Sequence, residues 1–401
     1  MSAKNKRWSR RDFLRTIGIT GAGSLLAPAL PLAAATDKTL QVPQRPFGKT
    51  GANVAILSLG TTVDIASNQL MLRQAVKWGV TYWDTAPSYQ WGKSEKGFGK
   101  YFAKYPQDRQ KIFLVTKSGA WTTKGMTKEL NESLERMKTD YIDLFFVHGI
   151  SDISEMNKKT KAWAEKQKSQ GKIRFFGFST HSNMEECLLG AAGLGWIDGI
   201  MMTYNYRLMH KDQMKRAVDA CVEAGIGLTA MKTQGGGQVT TTTETELKLA
   251  GRFMQKGFTD AQAKLKAVWE NPQIACICSR MPNMSILMSN TAAALDKTTL
   301  SATDRQLLQQ YAQETQSDYC AGCTEICESA VGKKVPIGDV MRCLMYGRSY
   351  GDQDYAVTEF KNISENSRRQ LAELDYSPAE QKCPRKLPIG KLIKAAVEEL
   401  T

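Results

Sequence analysis

The chain has 401 residues, 42% hydrophobic and 23% charged. This is ordinary globular composition, which excludes a wholly disordered or fibrous protein, and the length is enough to bury a large core without disulfides. The formal net charge is +14. Residues 1–35 hold Lys4, Lys6, Arg7, Arg10, Arg11 and Arg15 against Asp12, leaving 48 basic and 39 acidic residues beyond them, a balance of +9. That excess is mild and spread without a Lys/Arg run or an aromatic-studded basic stripe, so it argues against nucleic-acid binding.

The N-terminal segment reads as an address rather than as part of the fold. A basic stretch leads into Ser9-Arg10-Arg11-Asp12-Phe13-Leu14-Arg15, followed by a weakly apolar Gly/Ala/Leu run and by Ala33-Ala34-Ala35 as a small-residue cleavage site. Adjacent arginines in this setting resemble the twin-arginine signal; an ordinary signal peptide or a lipid-facing anchor is the alternative. The resemblance implies delivery of a folded protein to the periplasm by the twin-arginine export machinery. No later segment approaches the ~20 apolar residues of a membrane span.

Eight short apolar runs follow, starting near Ala55, Thr81, Ile112, Asp143, Phe175, Gly199, Gly227 and Ile274. They are near-continuous rather than alternating, as expected of parallel strands covered on both faces. Spacings of 24 to 32 residues fit one strand–helix unit each; 47 residues separate the last two runs. The intervening segments carry apolar stripes: Met214, Ala217, Val218, Cys221 and Val222 repeat at helical spacing, with Gly225 where a helix would stop. Eight such units predict the α/β class and a closed (β/α)8 TIM barrel. An open doubly wound sheet is the rival, but no GxGxxG follows the first run. Residues 41–54 are expected to form a hairpin at the barrel bottom, and the 47-residue gap, with Gly235-Gly236-Gly237, a long loop on the active face. The rhythm ends near Thr298. The domains are therefore a signal over 1–35, a barrel over 36–298 and a mainly helical C-terminal extension over 299–401.

Three consecutive runs end in ionisable residues, Asp84, Lys117 and His148, and Tyr89 lies five residues beyond Asp84. Around one barrel mouth these make a proton-transfer set. An ammonium beside a phenol favours the phenolate and is expected to lower the Tyr89 pKa, the Asp holds the Lys, and the His orients a carbonyl oxygen. Each residue taken singly also has a purely structural role open to it.

The set Asp84-Thr85-Ala86, Tyr89, Gly92-Lys93-Ser94-Glu95, Lys117, Tyr141-Ile142-Asp143-Leu144, His148, Gly171-Lys172-Ile173-Arg174, Tyr204-Asn205 and Met231-Lys232 resembles the aldo/keto reductases over roughly residues 41–295. The resemblance implies NADP- or NAD-dependent reduction of a small aldehyde or ketone, with Tyr89 as general acid/base, Lys117 and Asp84 tuning it, and His148 orienting the substrate. It carries the dinucleotide contacts to Ser179, Thr180, Tyr204, Met231, Lys232, Gly235, Arg280 and Asn290. Three places depart from the family pattern: Ser179-Thr180 stands for Ser-Asn, Met201 for a Gln, and Arg280-Met281-Pro282-Asn283 for Gly-Met-Arg-Ser.

Of nine cysteines, Cys187, Cys221, Cys276 and Cys278 fall in barrel elements and read as inert buried thiols. The extension holds Cys320, Cys323, Cys327, Cys343 and Cys383. A weak repeat aligns Val335-Pro336-Ile337-Gly338 with Leu387-Pro388-Ile389-Gly390, each opening a helix. In that frame the first copy keeps three cysteines and the second keeps the fourth. Because the fourth cysteine of a two-cluster ferredoxin motif serves the other cluster, Cys320, Cys323, Cys327 and Cys383 are what one [4Fe–4S] cluster needs. The extension also resembles the ferredoxin-like tail found on a subset of aldo/keto reductases, which implies a redox partner. Disulfides and zinc are the alternatives, with Cys343 either a disulfide partner or a buried thiol. A periplasmic iron–sulfur electron-transfer or binding protein, reusing the barrel without NAD(P)H turnover, is the competing function.

Overall fold

A computed structural model describes residues 41–401 except Thr241; the signal and its cleavage site lie outside the described residues. Two short antiparallel strands, β1 (Gln44–Pro46) and β2 (Asn53–Ala55), form the expected hairpin. Eight parallel strands then close a barrel: β3 (Leu57–Gly60), β4 (Tyr82–Asp84), β5 (Phe113–Ser118), β6 (Ile142–Ile150), β7 (Ile173–Thr180), β8 (Gly199–Thr203), β9 (Gly227–Met231) and β10 (Cys276–Arg280), with β10 beside β3. Each lies on one of the eight apolar runs. Such strands are buried by the barrel interior on one face and by helices on the other, which is why their sequences do not alternate.

The hairpin plugs the barrel floor. Phe47 is completely buried, and a side chain at Gly227 would bring its Cβ within 2.5 Å of the Phe47 ring. Arg45 locks the hairpin in place by donating to the carbonyls of Asn271 (3.0 Å) and Ile274 (2.6 Å). Above this floor Tyr82, Phe113, Val115, Leu144, Phe146 and Met201 fill the interior, leaving the opposite end for polar groups.

The surrounding helices are α1 (Gln69–Lys77), α2 (Lys93–Lys104), α3 (Thr123–Met137), α4 (Lys158–Ser169), α5 (Met184–Leu194), α6 (Asp212–Glu223), α7 (Glu244–Gln255), α8 (Asp260–Trp269), α9 (Met284–Leu295) and α10 (Ala302–Glu314). In α6 the stripe Met214, Ala217, Val218 and Cys221 is buried, whereas Val222 is exposed. The long gap is not one loop: it holds α7 and α8. Thr243 caps α7 by accepting from Glu246 N, and Glu244 and Glu246 occupy its positively polarised first turn, so the Thr/Glu-rich stretch is a helix start. The loop proper is the glycine segment before it.

The extension continues with α11 (Thr324–Ala330), α12 (Ile337–Arg348), α13 (Gln353–Asn362), α14 (Glu365–Gln370), α15 (Ser377–Lys382) and α16 (Ile389–Leu400). It has a core of its own, including Val340, Leu344, Phe360, Leu392 and Ile393. The weak repeat has a structural counterpart. Glu328 accepts from Gly338 N (3.0 Å) at the start of α12, and Glu380, at the matching position, accepts from Gly390 N (2.8 Å) at the start of α16. The extension docks on the barrel mouth. Gly322 passes against the His181 carbonyl, Asn183 N donates to Gly322 O (2.8 Å), and Gln238 receives Cys320 N (2.7 Å) while donating to Met341 O (3.0 Å). Among the described residues no helix is long and apolar enough to cross a membrane.

Candidate active site at the barrel mouth

Strand ends β4, β5 and β6 carry Asp84, Lys117 and His148 to the mouth, and the turn after β4 brings Tyr89 over them. Register aligns Asp84 with Val115 on β5, and Lys117 with Phe146 on β6, so the groups rise to similar heights. Ser94 fixes the β4 end by sharing its hydroxyl with Thr61 and Thr85 (2.7 Å each). Glu95, fully buried, accepts from Thr116 (2.7 Å) and pairs with Arg136 (2.5 Å). At the other end of β6, Asp143 takes Leu114 N (2.9 Å) and pairs with Arg109 (3.0 Å) and Arg174 (2.6 Å), tying three strands together. The family-like residues outside the mouth thus hold the strands that carry it.

Lys117 Nζ donates to Asp84 Oδ1 (2.6 Å) and to the Thr85 carbonyl (2.8 Å), and lies 4.7 Å from the Tyr89 ring centre. The Tyr89 and His148 rings meet edge-on, 6.0 Å apart. Burial pushes the Tyr89 phenol well above its ordinary range, and Asp84 adds to this with the nearby phenols of Tyr355 and Tyr346. This reverses the expected direction: Lys117 shares its charge with Asp84, and desolvation of the phenolate outweighs it. Burial, and then the charges of Lys117, Arg342 and Lys232, hold His148 down at about 3. Near neutral pH the mouth therefore holds a protonated phenol and a neutral imidazole, two hydrogen-bond donors for one oxygen.

Sequence reasoning missed His181, which follows β7 directly. Its signal was available: the chain has three histidines, and two of them stand at this mouth. It also missed Cys278, close enough to Asp84 and Lys117 to feel both charges. Arg342, Tyr346 and Tyr355 come from the extension and had no motif to announce them.

The groups proposed for a dinucleotide are scattered or engaged. Tyr204 turns away from the mouth, its hydroxyl accepting from Asn271 (2.9 Å) in the layer outside the barrel. Ser179 receives Gly149 N (3.0 Å), Thr180 donates to Ser182 O (2.7 Å), and Asn290 donates to Ser279 (3.0 Å). Met231 packs on the interior core. Lys232 donates to Tyr346 Oη (2.9 Å), and Arg280 pairs with Asp352 (2.7 Å). Gly235 gives its carbonyl to Arg207 (2.7 Å), and a Cβ on the next two glycines would strike Ser349 and the Asp318 carbonyl at 2.8 and 2.0 Å. The extension takes up Lys232 and Arg280 and packs on the glycine loop, so with it in place these groups do not fit a bound dinucleotide.

Cys320, Cys323, Cys327 and Cys383 line a single cavity with Ile337, Met341, Leu387 and Arg385. All nine cysteines are free thiols. Among the described residues no group of three or more His, Cys, Asp or Glu is gathered tightly enough for a single metal ion. Zinc needs its sulfurs ~2.3 Å from one centre, a gathering these four thiols do not show. Burial pushes the Cys320 thiol up to about 12. Lys211 and Arg385 lie close enough to Cys320 and Cys323 to offset the charge of bound thiolates. Cys343 lies apart, buried in α12, its thiol also pushed up to about 12.

Residues 55–314 match the model of the aldo/keto reductase family. The chain is 26% identical over 216 residues to an uncharacterised oxidoreductase of Bacillus subtilis, YrpG, covering 48% of this chain and 66% of the relative. It is 30% identical over 164 residues to L-glyceraldehyde 3-phosphate reductase of Escherichia coli, covering 35% and 46%. These curated relatives are thus matched over about half to two thirds of their own length. Among solved structures, aldo-keto reductase AKR11C1 from Bacillus halodurans shares the fold with a TM-score of 0.56 at 21% identity, covering 67% of this chain and 96% of that one.

Proposed function

Since the chain belongs to the aldo/keto reductase family and is thereby an oxidoreductase of that type, we propose that it acts on a small carbonyl compound at the barrel mouth, with Tyr89 as general acid/base. The observation that carries this reading is the convergence of Tyr89, His148, Lys117 and Asp84. A carbonyl oxygen between the phenol and the neutral imidazole receives two hydrogen bonds, which strengthen as negative charge develops on it. Burial keeps the Tyr89 proton in place until that charge forms; Lys117 then lies near enough to stabilise the phenolate left behind. In the reverse direction the same phenolate accepts the alcohol proton.

Aldo/keto reductases generally use NADP(H), but Lys232, Arg280 and the glycine loop are taken up by the extension, so no step is assigned to a nicotinamide here. Cys320, Cys323, Cys327 and Cys383, four of the extension's five cysteines, are ligands of one [4Fe–4S] cluster in this reading, which when bound would supply one-electron transfer. The barrel's own residues handle the proton. The twin arginines support export to the periplasm, with a redox partner there. The second reading, an iron–sulfur electron-transfer or binding protein without carbonyl turnover, is favoured by the extension's hold on Lys232 and Arg280. Tyr89→Phe separates the two. Across a panel of short aldehydes, assayed with NADPH and with reduced methyl viologen, turnover should fall at least 100-fold. A variant with unchanged turnover removes Tyr89 from the chemistry, and a wild type inactive with both donors favours the second reading.

A further inference from the structure

Close enough to His148 for its cations to act on that ring lies a second cavity, walled jointly by the barrel and the extension. His181, Thr203, Lys232 and Gln238 come from the barrel side and Arg342 from α12; among its lining residues there is no Asp or Glu. Lys232 has a left-handed backbone (φ 54°), a strained state for a residue with a side chain, and Asn205 secures it by donating to its carbonyl (3.1 Å). Its ammonium meets neutral partners: it donates to Tyr346 Oη (2.9 Å) and lies 3.3 Å from His181 Nδ1. Arg342 spends one nitrogen on Asp339 (2.8 Å), a half-exposed carboxylate on its own helix.

Lys232 and Arg342 bring two cationic groups to the cavity, and Cys320 of the extension lines it as well. Burial and the charges of Lys232 and Arg342 hold His181 well below its ordinary range, and both cations also act on His148. Glu359 of α13 is the carboxylate that acts on both cations from outside the lining, and burial raises its own pKa; burial likewise holds the Lys232 ammonium well below its ordinary range, so an anion beside it would restore its charge. An ammonium withdrawn from water without an anionic partner is costly, and an arriving anion offsets that cost. A guanidinium offers a planar fork that matches a carboxylate.

We propose that this cavity is a carboxylate subsite, with Lys232 and Arg342 as its cationic walls, so that the substrate is a small oxo acid. Its carbonyl lies at Tyr89 and His148 and its carboxylate lies between the two cations. The assignment rests on the carbonyl reading of the mouth. It also gives the extension a part in recognition, because Arg342 is supplied by α12.

The test is calorimetric titration of the full-length protein, with its metal content retained, by pyruvate, by butane-2,3-dione and by inorganic phosphate. The dione keeps the carbonyl but replaces the carboxylate with an acetyl group. Pyruvate should bind at least tenfold more tightly than the dione. Lys232→Met and Arg342→Gln should each erase that preference, bringing pyruvate affinity to that of the dione measured on the same variant. Equal affinity for the two compounds, or a preference that survives in both variants, overturns the subsite. Phosphate binding tighter than pyruvate overturns the carboxylate assignment. If neither oxo compound shows a charge preference yet neutral aldehydes are reduced in a Tyr89-dependent way, the subsite fails and the carbonyl reading stands. Pyruvate preference without turnover of any carbonyl compound fails the carbonyl reading and keeps the subsite.

Discussion

Replacing Lys117 by Met removes the cation that, among the described residues, faces the Tyr89 ring at close range, while keeping the length of the side chain. The ammonium lies 4.7 Å from the ring centre. At an effective dielectric constant of about 20, unit charges at that separation interact by about 3.5 kcal/mol. With half a charge developed on the phenol at the transition state and taken at the ring centre, the loss is about 1.8 kcal/mol, or roughly 20-fold in kcat; a fully formed phenolate brings the limit to several hundredfold. The substitution also strands Asp84, which is almost wholly buried and pairs with Lys117 at 2.6 Å. Breaking such a pair costs about 3–5 kcal/mol of stability. The double variant Lys117→Met/Asp84→Asn removes the stranded charge and separates stability from chemistry. The assay is single-turnover reduction of a responsive aldehyde across pH, with circular dichroism to establish folding. A folded double variant within threefold of wild type in rate would refute the electrostatic role given to Lys117.

Two further outcomes test other parts of the account. Because the His148 pKa is depressed to about 3 in the fold, the unfolded chain binds more protons between its own pKa of ~6.5 and that value. The associated stability is present above pH ~6.5 and is lost as pH falls toward 3; for a partly exposed ring the amount is about 2 kcal/mol. Denaturant unfolding of His148→Gln should show a shallower loss of stability over that window, and an identical slope would contradict the burial argument. Protein purified without air should contain about four irons and four sulfides per chain. Cys383→Ser should lose that content together with the visible absorbance and the low-temperature resonance of the reduced cluster. Unchanged iron in that variant, or one zinc in the wild type, would remove Cys383 or the cluster itself from the account.

The barrel was legible because parallel strands buried on both faces leave a signature that depends on local composition alone. The run at Asp143 is an example: Leu144, Phe145 and Phe146 all point into one or the other buried layer. The gap after β9 was harder to read because the buried face of α8 includes Lys264 and Lys266, whose stems pack inward while their ammonium groups reach Asp260 and the carbonyls of Asp296 and Thr298. Asp84, Tyr89, Lys117 and His148 could be picked out since strand ends are fixed once strands are placed. Tyr204 could not be oriented, because a residue just past a strand end turns inward or outward by a single step of the pleat. The direction of the Tyr89 shift was hidden for another reason: it depends on burial under the extension, and no motif encodes that docking. Arg280 and Asp352 are far apart in sequence, and the pair exists only because the extension brings the start of α13 to the barrel.

In this reading of the molecule its own extension occupies the place of a dinucleotide while leaving a proton-transfer site beneath it. Calorimetric titration of the full-length protein with NADPH and NADH tests it most directly, alongside a Tyr346→Phe/Asp352→Ala variant that frees Lys232 and Arg280. The wild type should show no binding below millimolar concentration, and the variant should bind at least tenfold more tightly. Micromolar binding of either nucleotide by the unaltered protein would contradict it.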